Sequence, residues 1–366
     1  MESARSTQRS SVRVAVYVLL AAATAIGLWA IGRTIIEGHI HEATTQHVPW
    51  GLWVALYIFF LGLSAGSFLI STLIYVFKVK QLEEAGPLAL YQALACLILG
   101  GMLIVLDAGH PVRFYKLLIH FNPTSVMAWM GFFYNVYILI ILLEIYFVLR
   151  PWFIKNIEAG KQPVWLYRLL SLGSRRLDTQ SLARDAWWLM VLGILGIPAA
   201  IIVHGGVGTI FAVAKARPNW FGGLFPFVFI VSALASGGAL LTLLTASFSP
   251  LSHERKVELL GSLGKLTIGV LLLDTLLLFS DLLTSNYGGI PAETRSWHLT
   301  LFGPYWWIFW VVQLGLGVLL PVLLVAFPAT RRRVGWMGLA GFLVLLGVFG
   351  MRLNLVIPPQ ITPAFK

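Results

Sequence analysis

Long apolar runs separated by short polar segments set the layout of this chain. They predict nine helices of membrane-spanning length, at about 14–32, 51–77, 87–106, 125–149, 186–211, 224–247, 260–283, 303–327 and 334–351. An α-helix rises about 1.5 Å per residue, so roughly twenty apolar residues cross the hydrocarbon core of a bilayer. The first run follows Arg5, Arg9 and Arg13 in the manner of a signal peptide. Its apolar stretch outlasts a signal h-region, which makes an uncleaved anchor the expectation.

Composition points the same way. The chain is 58% hydrophobic and 11% charged over 366 residues, with a mean hydropathy of +0.84. That is too little charge to cover a water-soluble domain of this length. The expected fold class is therefore all-α, a polytopic membrane protein with no separate soluble domain. The net charge of +11 reads as loop charge that sets topology, not as a nucleic-acid surface. Of the 26 Lys and Arg residues, 17 fall in the N-terminal tail and in connections 78–86, 150–185, 248–259 and 328–333. Lys265 lies on the same side, and the other 8 fall in the remaining connections and the C-terminal tail. The positive-inside rule then places the N-terminus in the cytoplasm and the C-terminus outside. Within the cytoplasmic connection 150–185, "VWLYRLLSLGSRR" is expected to lie along the membrane surface. The sole cysteine, Cys96, excludes a disulfide framework and an iron–sulfur cluster held by this chain alone.

Two segments resemble one another: "GLSAGSFLISTLIYVF" at 62–77 and "ALASGGALLTLLTASF" at 233–248. The third span ends at Asp107 and the seventh at Asp281, and Asn135 in the fourth has a polar counterpart in Gln313 in the eighth. These correspondences predict two four-helix bundles, spans 2–5 and 6–9, plus an extra N-terminal helix. The divisions fall at 1–46, 47–211 and 212–366. Gly62 and Gly66, with Ser64, Ala65 and Ser67, form a small-residue stripe suited to close helix packing.

Chemistry rests on the few polar groups inside the spans. An ionisable residue at a helix centre in lipid costs about 3 kcal/mol, so it faces protein or water and marks function by default. His47 stands at the mouth of the second span beside Trp50 and Trp53; Asp107, His110 and Arg113 share "LDAGHPVRF" at the outer end of the third. Glu144 lies deep in the fourth span, His204 in the outer half of the fifth, and Asp274 and Asp281 in the outer half of the seventh. Plainer roles exist for each. Asp107 and Arg113 could be an ion pair holding a loop, His47 and Trp50 interface residues, Glu144 a snorkelling acid and His204 a packing histidine.

A b-type haem needs two intramembrane axial histidines, and His204 alone qualifies. The His-rich "EGHIHEATTQH" at 37–47 is a loop, and no metal site is expected. A quinone asks for an apolar slot with aromatic walls, one or two donors for its carbonyls, and a group that moves protons. His47, His204 and Asp107, with nearby Trp and Tyr, meet that requirement.

At these residues the sequence resembles the polysulfide reductase membrane subunit family, NrfD/PsrC, from about His47 to Pro359. "HVPWGLWVALYIFFLGLSAG" is similar to the family's first core helix, and "LDAGHPVRFYKLL" to its D-x-G-x-P-x-R-F loop. "HGGVGTIFAVAKARPNWFGGLFPFVFIVSALASGGALL" is similar to the block that follows. The pattern is nearer to the longer members found in hydrogenase-2, the dissimilatory sulfite reductase-linked complex and the haem-rich Hme complexes. It departs from the short type by its extra N-terminal span.

The resemblance implies an inner-membrane subunit without haem or iron–sulfur cluster of its own. It would bind menaquinone or ubiquinone near the outer face and exchange electrons with a ferredoxin-like iron–sulfur subunit docked there. Further catalytic or cytochrome c subunits would complete the complex. The resemblance puts a headgroup histidine on His47, and some short members carry a tyrosine in the block of His204. With the polar set read above, the expected headgroup contacts are His47, Trp50, Asp107, His110, Arg113 and His204. His47, His204 and Asp107 would carry the chemistry, with Glu144, Asp274 and Asp281 as proton-path candidates. Two readings of other classes stay open: a two-bundle ion or solute transporter, and a passive membrane anchor for a redox complex.

Overall fold

The computed structural model describes residues 2–40, 44–45, 48–109, 111–217 and 219–361. Among these residues the protein is helical without strands, and nine helices are long and apolar enough to cross a membrane. In sequence order the helices are α1 (Glu2–Glu37), α2 (Leu52–Tyr75), α3 (Gly86–Asp107), α4 (Val126–Glu158) and α5 (Thr179–Ala212). There follow α6 (Phe225–Phe248), α7 (His253–Tyr287), the shorter α8 (Pro291–Phe302), α9 (Ile308–Ala326) and α10 (Val334–Val356). The first stretch of α9, Ile308–Leu319, is wound as a π-helix.

Helices outrun the apolar runs that announce them, because hydrogen bonding and not hydropathy decides where a helix stops. Hydropathy breaks at Arg150 and Pro151, yet α4 continues through both to Glu158. It breaks again at Arg352, yet α10 continues to Val356. Two arginines counted as loop charge are thereby buried helix residues: Arg150 is 2% exposed and Arg352 0%. Local caps fix other ends. The Ser125 hydroxyl accepts from the Ala128 N–H at 3.3 Å to start α4, and the Asp178 carboxylate accepts from the Ser181 N–H at 3.2 Å to start α5. Helix α8 escapes the hydropathy pattern, since "PAETRSWHLTLF" is too short and polar to read as a span.

Helix neighbours form two rings. α2 packs on α3, α3 on α4, α4 on α5 and α5 on α2; α6 packs on α7, α7 on α9, α9 on α10 and α10 on α6. Within the first ring Ile58, Leu61 and Phe68 meet Leu90, Tyr137, Ile141, Ala200 and Val203 in one buried cluster. The rings join where α2 lies against α6, and here the two small-residue stripes face each other. A Cβ on Gly66 would overlap the Ala233 carbonyl, and one on Gly237 would overlap the Gly66–Ser67 backbone. Lipid tails are as apolar as leucine, so close dispersion contact of this kind is what holds helices together in a bilayer. Gln92 of α3 reaches across the seam to Ser67 Oγ and to the Gly237 carbonyl.

One expected correspondence does not hold in environment. Asn135 is exposed and turns back to the Gly131 carbonyl of its own helix, whereas Gln313 is buried and accepts from Asn354 at 2.9 Å. α1 stands outside both rings, and no residue of its apolar window is buried in the isolated chain.

Candidate functional site

Alternation of the helices puts the start of α2, the end of α3, the start of α4 and the end of α5 on one side, with the starts of α6 and α9 and the ends of α7 and α10. Trp50 marks that side. His204 sits in the α5 half nearest to it and is 1% exposed. Its ring lies 5.4 Å from the Phe229 ring of α6, and the Phe229 backbone is close by. Among the described residues neither ring nitrogen makes a hydrogen bond of standard geometry. Gly62 gives the imidazole its room: a Cβ there would stand 3.2 Å from His204 Cε1 and 3.5 Å from Arg352 Nη2. The glycine stripe therefore does more than pack helices. At Gly62 it makes room for an imidazole at the seam, next to a guanidinium.

Arg352 is the residue that sequence reasoning misses. It donates to Ser232 Oγ at 2.5 Å and lies over the Phe229 ring at 4.6 Å. Its Nε and Nη1 have no hydrogen-bond partner among the described residues, and its charge acts on both His204 and Asp274. The signal is a lone arginine inside "FGMRLNLV", but the hydropathy break there suggests a helix end.

The Trp50 mouth is a closed aromatic knot. Trp50 stacks on Trp220 at 5.2 Å and meets Phe211 edge-on at 5.1 Å. Its backbone is tied to the far end of the sequence, where the Trp50 N–H donates to Gln360 Oε1 at 3.0 Å and Gln360 Nε2 donates to the Trp50 carbonyl at 2.8 Å. Arg217 Nη1 donates to the Gln360 carbonyl at 3.0 Å, and Trp220 Nε1 to the Leu355 carbonyl at 2.7 Å. Trp50 is thus a structural wall of this mouth. Asp107, half-buried, ends α3 on this side, and Arg113 is exposed in the short turn after it. His47 and His110 lie outside the described residues.

The three remaining carboxylates separate into two places. Glu144 is 1% exposed on α4, beside Gly193, and among the described residues neither of its oxygens finds a hydrogen bond. It does not snorkel. Eleven positions along α5 part Gly193 from His204, roughly 16 Å of helix rise. Asp274 and Asp281 instead share the α7 face with Leu278, and that face borders two cavities. The larger, about 80 Å³, is lined by Asp281, Ser296, Trp297, Thr300, Gln313 and Asn354 among apolar walls. The smaller, about 20 Å³, reaches Asp274. Leu278, Gln313 and Met351 line both. Among the described residues no group of three His, Cys, Asp or Glu side chains is placed to hold a metal ion.

The family described as polysulphide reductase, NrfD, matches residues 41–364. A selenate reductase subunit of Mesobacillus selenatarsenatis is 38% identical over 95% of this chain and 83% of its own length. The Hdr-like menaquinol oxidoreductase integral membrane subunit of Archaeoglobus fulgidus is 28% identical, covering 95% of this chain and 80% of its own. A polysulfide reductase subunit of Wolinella succinogenes is 29% identical over 88% of this chain and 97% of its own.

Proposed function

This chain belongs to the polysulphide reductase NrfD family, and on that premise we propose that it is the quinone-reactive membrane subunit of a multi-subunit respiratory oxidoreductase. It binds quinone or quinol near the outer face of the inner membrane and exchanges electrons with an iron–sulfur subunit docked there. Its N-terminus is cytoplasmic and its C-terminus outside. The relatives named as selenate reductase, polysulfide reductase and menaquinol oxidoreductase subunits support a membrane subunit of a redox complex. The observation that carries the quinone is His204, a buried imidazole beside the Phe229 ring at the seam, neither of whose nitrogens makes a hydrogen bond of standard geometry among the described residues.

Turnover of a quinol releases protons as well as electrons, and reduction of a quinone takes them up. His204 would donate an N–H to a headgroup oxygen or accept the proton of a hydroxyl, the dual capacity that neutral imidazole has. Arg352 beside it offers two N–H directions that no other described group uses. Its positive charge would favour negative charge building on that oxygen. His47 at the helix mouth and Asp107 at the end of α3 would pass the proton to outer water, with His110, Arg113 and Trp50 framing the opening. Glu144, Asp274 and Asp281 are the acids that would extend a proton path inward.

The test is turnover in the assembled complex. His47→Ala and His204→Ala should each lower quinol turnover by roughly 10- to 1000-fold, the range for losing a general acid–base group or an orienting donor. Wild-type turnover in both variants, with the complex intact, would place the reaction elsewhere.

A further inference from the structure

The cavity of about 80 Å³ between α6, α7, α8, α9 and α10 shares no lining residue with the surroundings of His204 described above. It stands on the other side of Trp220, which both lines it and stacks on Trp50. Its volume is on the order of five or more water-sized groups, the scale of one six-membered ring with its two oxygens. Trp220, Trp297, Phe225 and Phe309 supply flat walls.

The polar groups are few and placed for a small ligand. Trp297 is 7% exposed, and among the described residues its indole N–H has no partner. A buried donor left unspent costs free energy, so it marks the place of an acceptor. Gln313 accepts from Asn354, which leaves the Gln313 amide N–H groups and the Asn354 carbonyl to the cavity they both line. Gln313 lies in the π-helical stretch of α9, a winding that is rare and recurs at functional sites. Asp281 adds a carboxylate, and the smaller cavity behind it leads along the same α7 face to Asp274.

We infer that this cavity is a second headgroup site for the quinone class, with the Trp297 indole N–H donating to one ring oxygen and Asp281 with the Gln313–Asn354 pair serving the other. Flat aromatic walls, donors and a carboxylate around one ring-sized space fit a quinone or quinol better than a phospholipid headgroup, whose phosphate would meet Asp281 and find no cation in the lining. The inference rests on the quinone reading above but not on His204.

The purified complex in nanodiscs is irradiated with a short-chain arylazido quinone, and labelled peptides are mapped by mass spectrometry. Two labelled regions are expected, one around His204 and one in α8. Trp297→Phe keeps the ring and removes the donor, so the α8 label should fall by up to about tenfold, the loss expected for one buried hydrogen bond, while the label near His204 stays. Val228→Phe fills the cavity from α6 and should give the same pattern should Trp297→Phe fail to assemble. Label near His204 without label in α8 overturns the second site alone. An α8 label that neither variant lowers, or co-purified phospholipid in the cavity, also overturns it. Absence of quinone label throughout overturns this inference and the quinone reading together.

Discussion

Two arginines are buried among the described residues, and their surroundings differ in kind. Arg150 Nε donates to both Asp185 carboxylate oxygens, at 3.0 and 2.8 Å, and its Nη1 donates to Ser174 Oγ at 2.8 Å and to the Arg176 carbonyl at 3.1 Å. A carboxylate neutralises the charge and Nε and Nη1 are spent, leaving Nη2 alone without a partner among the described residues. Arg352 has Ser232 Oγ and the face of Phe229, with Asp274 and His204 in electrostatic range and two nitrogens without a partner among the described residues. A network closed on a carboxylate partner, as Arg150 is on Asp185, locks segments together. An open one costs stability and persists where something else completes it.

The comparison is broken most forcefully by removing each guanidinium. Arg150→Met leaves Asp185 buried without its cation and should cost about 3–5 kcal/mol of stability, read as lost melting temperature and yield. Turnover per assembled complex should be unchanged, and Arg150→Met with Asp185→Leu should recover most of the stability. Arg352→Met should do the opposite, lowering quinol turnover by roughly 10- to 1000-fold with little change in melting temperature. Equal thermal losses in the two variants would erase the distinction.

A smaller effect sharpens the seam. Gly62→Ala places a methyl at 3.2 Å from His204 Cε1, tight enough to move the imidazole by tenths of an ångström, and at an ordinary contact distance of 3.5 Å from Arg352 Nη2. A few-fold loss of turnover with unchanged assembly is expected. Gly66→Ala, whose methyl would overlap backbone on α6, should instead prevent assembly.

The smallest effect concerns Asp178, which caps α5 beside the Arg150 network; Ser181, its capping partner, also donates to the Arg176 carbonyl at 2.9 Å. Hydrogen bonds from Ser181 hold the Asp178 carboxyl below its ordinary pKa of 3.8. A lowered folded pKa stabilises above the ordinary value and is lost as pH falls below it. Asp178→Ala should therefore lower the melting temperature slightly at neutral pH, with the difference from wild type shrinking as the pH is taken below 3.8.

The spans are legible because lipid demands long apolar helices, and the family is legible in "HVPWGLW" and the block around His204. What hydropathy hides is a charge inside a helix. Arg150 and Arg352 end the apparent runs and read as loop residues, which conceals the partner of Asp185 and the neighbour of His204. Trp297 and Asn354 are equally hidden, and Gln313 stands out only as a counterpart of Asn135, since residues on three different helices converge only once the helices pack. Glu144 stands out by its charge alone, and its burial without a hydrogen-bond partner among the described residues comes from packing.

The paired hydrogen bonds between Trp50 and Gln360 join positions 310 apart in sequence. Synthesis at about 5–20 residues per second separates the two by roughly 15–60 s. During that interval the first core helix is already in the bilayer while its mouth lacks the segment that seals it. The opening beside Trp50 is therefore completed last, whatever the order in which the helices insert. A polypeptide stopped before Val334 should still thread its earlier helices yet leave a cysteine at position 50 open to a water-soluble maleimide. The full-length protein should protect it, and equal labelling of the two would show that the mouth closes without its last strap.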